Sequence, residues 1–351
     1  MIQQRHAREM GEHRAALSMR QLMCAVFIWR AAMTRILPLC GNASWWVCLV
    51  CLLPGILTAA GFRIVMALTG ASTVTEAVRT ALGRVGAALF SWMLAALLLV
   101  EAASPLTALL TVFTQGVGTK GTQFTLALLT GMVLLFCLHR EGLPRGIYLL
   151  RWVMIALLVL LAGYAVGDAQ VDNIFPLSGD DNLSLAAAWK AGMSLSWPVV
   201  LILTVPCEQK RGFTCIGVVP IAIAVGMLLL TVLTIPQEML QAQTGLADLL
   251  LLPIRYMPNA LRVTGLCLLM LSFFLSVGAS VQLATTYMLA PSGGSAGWLP
   301  HAVLVILVSS QALDIPQLWA LLGMVEPWLI LPLAGILVIS LPFAAIRRKR
   351  A

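Results

Sequence analysis

Residues 85–113 read VGAALFSWMLAALLLVEAASPLTALLTVF, a run of 29 residues with one ionisable side chain, Glu101. As a helix rising 1.5 Å per residue the run would measure roughly 43 Å, more than the ~30 Å hydrocarbon core of a bilayer. A soluble domain cannot afford many such runs. This chain is built from them.

Across 351 residues, 60% are hydrophobic and only 10% charged, and the mean hydropathy is +0.95. Working outward from residues 85–113, about ten apolar runs emerge. They lie near 22–39, 45–68, 85–113, 123–138, 146–167, 185–206, 213–235, 261–290, 299–314 and 319–345. None alternates with the period of two that marks a barrel strand. Continuous apolar runs in lipid form helices, which satisfy their own backbone groups. The expected fold is all-α: a polytopic membrane protein in which a single ten-helix domain, 22–346, follows a cytoplasmic segment, 1–21, and precedes a basic tail, 347–351.

Basic residues fix the orientation. With the N-terminus inside, Arg5, Arg8, Arg14 and Arg20 are cytoplasmic, as are Arg63, Arg79 and Arg84, then Arg140, Arg145 and Arg151, then Lys210 and Arg211. Arg347, Arg348, Lys349 and Arg350 close the chain on the same side. Only Lys120, Lys190, Arg255 and Arg262 fall on or near the other, where Asp168, Asp172, Asp180, Asp181, Glu238, Asp248 and Asp314 gather. That asymmetry obeys the positive-inside rule and predicts N-in, C-in with an even number of spans. The net charge of +8 therefore calls for membrane lipid rather than nucleic acid as its partner. No small-residue cleavage site follows the basic N-terminus, so no removable signal peptide is expected.

No enzyme constellation is present. The sequence has no nucleotide-binding glycine loop, no His/Cys set at metal-ligand spacing and no paired-aspartate motif, so neither catalysis nor a cofactor or metal is expected. The eight cysteines sit mostly within spans. Cys48 and Cys51 form a C-x-x-C in mid-helix without a second pair, which reads as apolar packing.

Two capping boxes mark helix starts: Ser18 with Gln21 ahead of the first span, and Thr73 with Glu76 opening a short cytoplasmic segment, Thr73–Leu82. In that segment Val74, Ala77, Val78, Ala81 and Leu82 share one face, away from Arg79 and Arg84. This is the pattern of an interfacial helix. A comparable stretch, Leu246–Met257, precedes the eighth span. Spans three and eight are also the longest. Features recurring five spans apart predict two halves, 22–167 and 185–345, of inverted orientation, the plan of many secondary transporters.

Ionisable groups inside lipid cost at least ~2.5–3.5 kcal/mol on insertion scales, so each needs a partner or a cavity. Arg30 and Arg35 fall about ten residues into the first span, around Ala31, Ala32 and Thr34. Either the helix is interrupted there and lines a cavity, or the arginines snorkel or pair for structure. Glu101 either pairs with Arg30 or meets the cationic group of a ligand. Glu326, near the start of the last span, reads as a solvated carboxylate. In the sixth span, Gly192-Met193-Ser194-Leu195-Ser196-Trp197-Pro198 is either a proline kink or a break. Pro198 removes the donor to the Ser194 carbonyl, and Gly192, Ser194 and Ser196 leave backbone exposed. Half-helix ends at such breaks hold carboxylates or cations.

Several stretches resemble the endospore germination permease family, the integral B subunit of nutrient germinant receptors, within the amino acid–polyamine–organocation transporter superfamily. They are Ser18-Met19-Arg20-Gln21-Leu22 and Ile36-Leu37-Pro38 around the first span, and Thr73–Gly83 with Leu82-Gly83-Arg84. Asp172-Asn173-Ile174-Phe175-Pro176-Leu177, Ala191–Pro198 and Leu249–Asn259 complete the pattern. Where relatives carry a glycine in the middle of the first span, this chain has Ala31-Ala32 between Arg30 and Arg35. The tip after the sixth span, Glu208–Arg211, is brief. The resemblance implies an inverted five-plus-five fold with broken helices 1 and 6, its ligand site between those breaks and flanked by spans three and eight. It further implies an amino-acid-like germinant, the spore inner membrane, and partnership with a membrane-anchored A subunit and a lipoprotein C subunit. Arg30, Ala31, Ala32, Thr34, Glu101, Gly192, Ser194, Ser196 and Pro198 are the candidate ligand-binding residues. A second reading, from the layout alone, is an H⁺- or Na⁺-coupled secondary transporter of amino acids or amines.

Overall fold

A computed structural model of the chain describes residues 53–117, 131, 259–293, 297–312 and 316–350. Every regular element among them is helical: α1 (Leu53–Thr69), α2 (Val74–Val117), α3 (Asn259–Leu289), α4 (Leu299–Ala312) and α5 (Pro316–Arg350), with a 3-10 turn, Ala290–Ser292, after α3. They correspond to the predicted spans two, three, eight, nine and ten. The other five predicted spans lie outside the described residues except for Gly131 of the fourth, and Leu246–Met257 lies outside them too.

The corner between α1 and α2 is closed by local chemistry. Gly70 takes a left-handed φ of 68°, and the Ala71 N–H reaches back to the Met66 carbonyl at 3.1 Å. This six-to-one bond is the mark of a Schellman cap, and glycine is the residue that adopts its left-handed position without penalty. Three residues on, Thr73 Oγ1 accepts from the Glu76 N–H at 3.2 Å. The forward half of the predicted capping box is therefore in place. Its return half shifts by one residue: the Glu76 carboxylate accepts from the Ser72 N–H at 2.9 Å and the Ser72 hydroxyl at 3.0 Å.

Helix α2 breaks once, at Gly83, where φ is 82° and ψ is −169°. That region of backbone space is essentially reserved for glycine. Residues 74–82 thus form a short separate helix, but its apolar face, expected to lie on the membrane interface, packs against the other helices. Val74, Ala77, Val78 and Ala81 are buried, while Arg79 and Arg84 are exposed. Beyond the break the helix passes Pro105 and continues to Val117, four residues past the predicted end. Helix α5 likewise runs through Pro327, Pro332 and Pro342, and on through Arg350 into the basic tail.

Two packed clusters hold the helices together. The larger joins Phe62, Val65 and Met66 of α1 with Phe90, Leu94, Leu97 and Leu98 of α2, Leu283, Ala284 and Tyr287 of α3, and Leu333 and Leu337 of α5. Phe62 and Phe90 meet edge to face with centroids 5.9 Å apart, a favoured aromatic geometry. The smaller joins Ala102, Leu106 and Leu110 of α2 to Val277 and Val281 of α3 and Leu304 of α4. The α2–α3 pair makes the most extensive helix contact among the described residues. It is antiparallel, since the 290–293 turn lies beside the start of α2. Small buried residues on both sides (Ala102, Ala103, Gly278, Ala279, Ser280 and Ala284) allow the close approach that membrane helices use.

Two helices in this region are long and apolar enough to cross a membrane, 74–103 and 328–346. Their outer faces carry bare apolar side chains: Trp92 is 58% exposed, Trp328 75% and Val338 65%. Exposed apolar area on this scale marks an interaction surface.

Candidate functional site

Helix α2 buries a carboxylate, Glu101. After the Gly83 break the heptad-like rows Phe90, Leu94, Leu97 and Leu98 bury one face. Glu101 continues that face one turn further on, because residues three and four apart share a side of a helix. The side chain is only 7% exposed. A carboxylate at that depth must be engaged, since burying an isolated charge costs many kcal/mol. Glu101 does take part in an interaction within the chain. Four residues beyond it, Pro105 has no N–H to give to the Glu101 carbonyl, which leaves this turn of α2 richer in polar acceptors than its neighbours.

Helix α3 also carries polar side chains that the sequence did not single out. Ser280 is fully buried, and neither its hydroxyl nor Oε1 of Gln282 has a hydrogen-bond partner. The Gln282 backbone carbonyl, by contrast, accepts from the Thr285 hydroxyl at 2.9 Å and the Thr286 hydroxyl at 2.8 Å. Buried polar atoms are nearly always satisfied, so orphaned ones call for an explanation. Glu101 and Ser280 occupy matching positions in the packing. Glu101 lies between Leu98 of the larger cluster and Ala102 of the smaller. Ser280 lies between Ala279 of the larger and Val281 of the smaller. Both fall where one packed layer gives way to the next.

Of the candidate ligand-binding residues, Glu101 is therefore inside the helix core. Arg30, Ala31, Ala32, Thr34, Gly192, Ser194, Ser196 and Pro198 lie outside the described residues, as does Arg35. Among the described residues, no three His, Cys, Asp or Glu side chains are grouped to hold a metal.

A second polar region lies at the other end of the α2–α3 pair. A half-open cleft of about 570 Å³ separates residues 75–91 of α2 from the 290–293 turn. Arg79, Arg84 and Glu76 line it with Ser91, over a floor of Ala87 and Ala88. The hydrogen bonds from the Ser72 backbone and hydroxyl hold the Glu76 carboxyl below its usual value, with a smaller contribution from the Thr73 N–H. Both donors favour the charged form.

No protein-family model matches the chain, and no curated protein matches it.

Proposed function

We propose that this chain is the integral membrane subunit of a spore nutrient germinant receptor, which senses a small germinant such as an amino acid at a site halfway through the membrane. In this reading the chain has ten helices in an inverted five-plus-five arrangement, helices 1 and 6 are interrupted, and both termini face the cytoplasm. The observation that carries the reading is Glu101. A carboxylate inside a helix long enough to span a bilayer is a functional group by default, and it sits on span three, which the resemblance assigns to the flank of the ligand site. Span eight, the other flank, buries Ser280, whose hydroxyl has no hydrogen-bond partner and would be satisfied by an ammonium donor.

An amino acid would offer its ammonium to Glu101 and its carboxylate to Arg30 or to backbone N–H groups freed near Ala31–Thr34 and Gly192–Pro198. Binding would bias the conformation of the bundle and be read by the A and lipoprotein C subunits. Thermal stabilisation of the purified protein in nanodiscs by a panel of amino acids tests this. Glu101→Gln is expected to lose at least tenfold in affinity for the stabilising compound, a loss read against its own ligand-free melting temperature because the buried carboxylate also takes part in an interaction within the chain. Substitution of Gly192, Ser196 or Arg30 should shift the germination dose–response at unchanged protein abundance. Stabilisation by no amino acid, with stable co-purification of partner subunits, would reduce the chain to a structural component.

The same carboxylate favours one other reading. A buried group able to take up and release a proton suits H⁺-coupled transport of an amino acid or amine. Concentrative uptake into proteoliposomes, driven by a pH gradient and lost in Glu101→Gln, would replace the receptor reading with the transporter one.

A further inference from the structure

We propose that the cleft between the start of α2 and the 290–293 turn binds a phosphate group, carried by the head of an anionic phospholipid at the membrane surface. Arg79 and Arg84 are five residues apart. On an unbroken helix they would be rotated by roughly 140° and face different ways. The Gly83 break redirects the chain between them, and both arginines line the same cleft. Neither is held by a hydrogen bond or ion pair to another described residue, and both are exposed. Glu76, which lines the same cleft, keeps its charge while accepting two hydrogen bonds from Ser72, so the two arginines leave the lining with a net positive charge. Two guanidinium groups with donors to spare fit phosphate oxygens through paired N–H bonds, a match lysine does not offer.

The rest of the cleft suits a lipid head. Its floor is cut by the small residues Ala87 and Ala88, which leave the ~570 Å³ of space. Ser91, only 5% exposed, adds a hydroxyl there. Across the opening, Ala290 and Pro291 give an apolar wall against which glycerol and acyl carbons can lie. Arginines on the cytoplasmic side meet an anionic leaflet, where each basic residue near the surface contributes about 1 kcal/mol. The proposal is independent of which ligand Glu101 meets.

Full-length protein in nanodiscs decides it. Native mass spectrometry after release from phosphatidylcholine discs containing phosphatidylglycerol should show phosphatidylglycerol retained by the wild-type chain. Retention should fall at least fivefold in R79Q/R84Q and stay unchanged in R262Q, whose arginine sits at the opposite end of α3. In pure phosphatidylcholine discs, thermal stabilisation by inorganic phosphate, lost in R79Q/R84Q, would assign the same two arginines to a soluble phosphate instead of a lipid. Equal phosphatidylglycerol retention by wild type and R79Q/R84Q, with no response to inorganic phosphate, overturns the site. Should the double variant fail to fold, the same measurements on R79Q and R84Q singly give the answer.

Discussion

Glu76 shows how one exposed carboxylate can set a helix start. It accepts from the Ser72 N–H and hydroxyl while its own N–H is capped by Thr73. Because its folded-state value is lowered, the stabilisation is present in full above the ordinary glutamate range near ~4.3. It is lost as the pH falls through the lowered value. Solvent screening keeps the effect small, and caps of this kind contribute about 1 kcal/mol. Amide hydrogen exchange over residues 74–82 should therefore speed up in Glu76→Gln at pH 7, and in the wild type only on acidification below about pH 4. Equal exchange in both proteins at pH 7 would show that the side chain does not hold the start. Ser280 gives the opposite kind of prediction. Its buried hydroxyl has no partner, so Ser280→Ala removes a desolvation cost and should leave the protein as stable as before or stabilise it by up to ~1 kcal/mol, read as an equal or higher melting temperature. A clear loss of stability would reveal a hydrogen bond to that hydroxyl in the membrane. This residue was not legible in the sequence. A lone serine in an apolar helix is ordinary, and only burial without a partner distinguishes it. Glu101 was legible, since a carboxylate after Leu94–Val100 is conspicuous by its rarity.

Within single elements, the segment 74–82 is the part that sequence described best. The Thr73/Glu76 box and one apolar face each state a local rule; the structure keeps the forward half of the box, moves its return half to Ser72, and buries the face. Helix ends were read less well. Helix α2 continues through Thr114-Gln115-Gly116-Val117, and α5 continues through Arg350, because polar residues at a membrane edge cost a helix nothing that hydropathy can register. The break at Gly83 yields the sharpest element-level test. No atom crowds the site, so Gly83→Ala is penalised through backbone conformation alone, by about 1–3 kcal/mol. The variant should melt lower, and residues 74–82 should exchange faster while α3 and the later turns of α2 do not. If α2 instead straightens without cost, Arg79 and Arg84 would turn apart and the cleft would lose its paired guanidinium groups. A melting temperature equal to wild type would signal that outcome.

At the scale of the whole molecule, the antiparallel pairing of α2 with α3 connects the packing to the charge asymmetry. Positive-inside counting puts the start of span three and the end of span eight on the cytoplasmic side, although they are about two hundred residues apart in the chain. In the structure the 290–293 turn lies beside residues 75–91, so the two helices run in opposite directions; the number of spans between them lies outside the described residues. The turn itself holds no basic residue, so its side of the membrane could not be read from its own composition. It follows only from an even number of spans between it and Arg79. Ser72 and Ser292 are both exposed and belong to these two ends. Ser72→Cys and Ser292→Cys should therefore behave alike toward a membrane-impermeant maleimide. In intact cells neither should be labelled, and in inside-out vesicles both should be, against the background of the native cysteines. Labelling of one from outside and the other from inside would break the antiparallel pair. Labelling of both from outside would invert the orientation, and the arginine-lined cleft would then face the wrong leaflet for an anionic lipid.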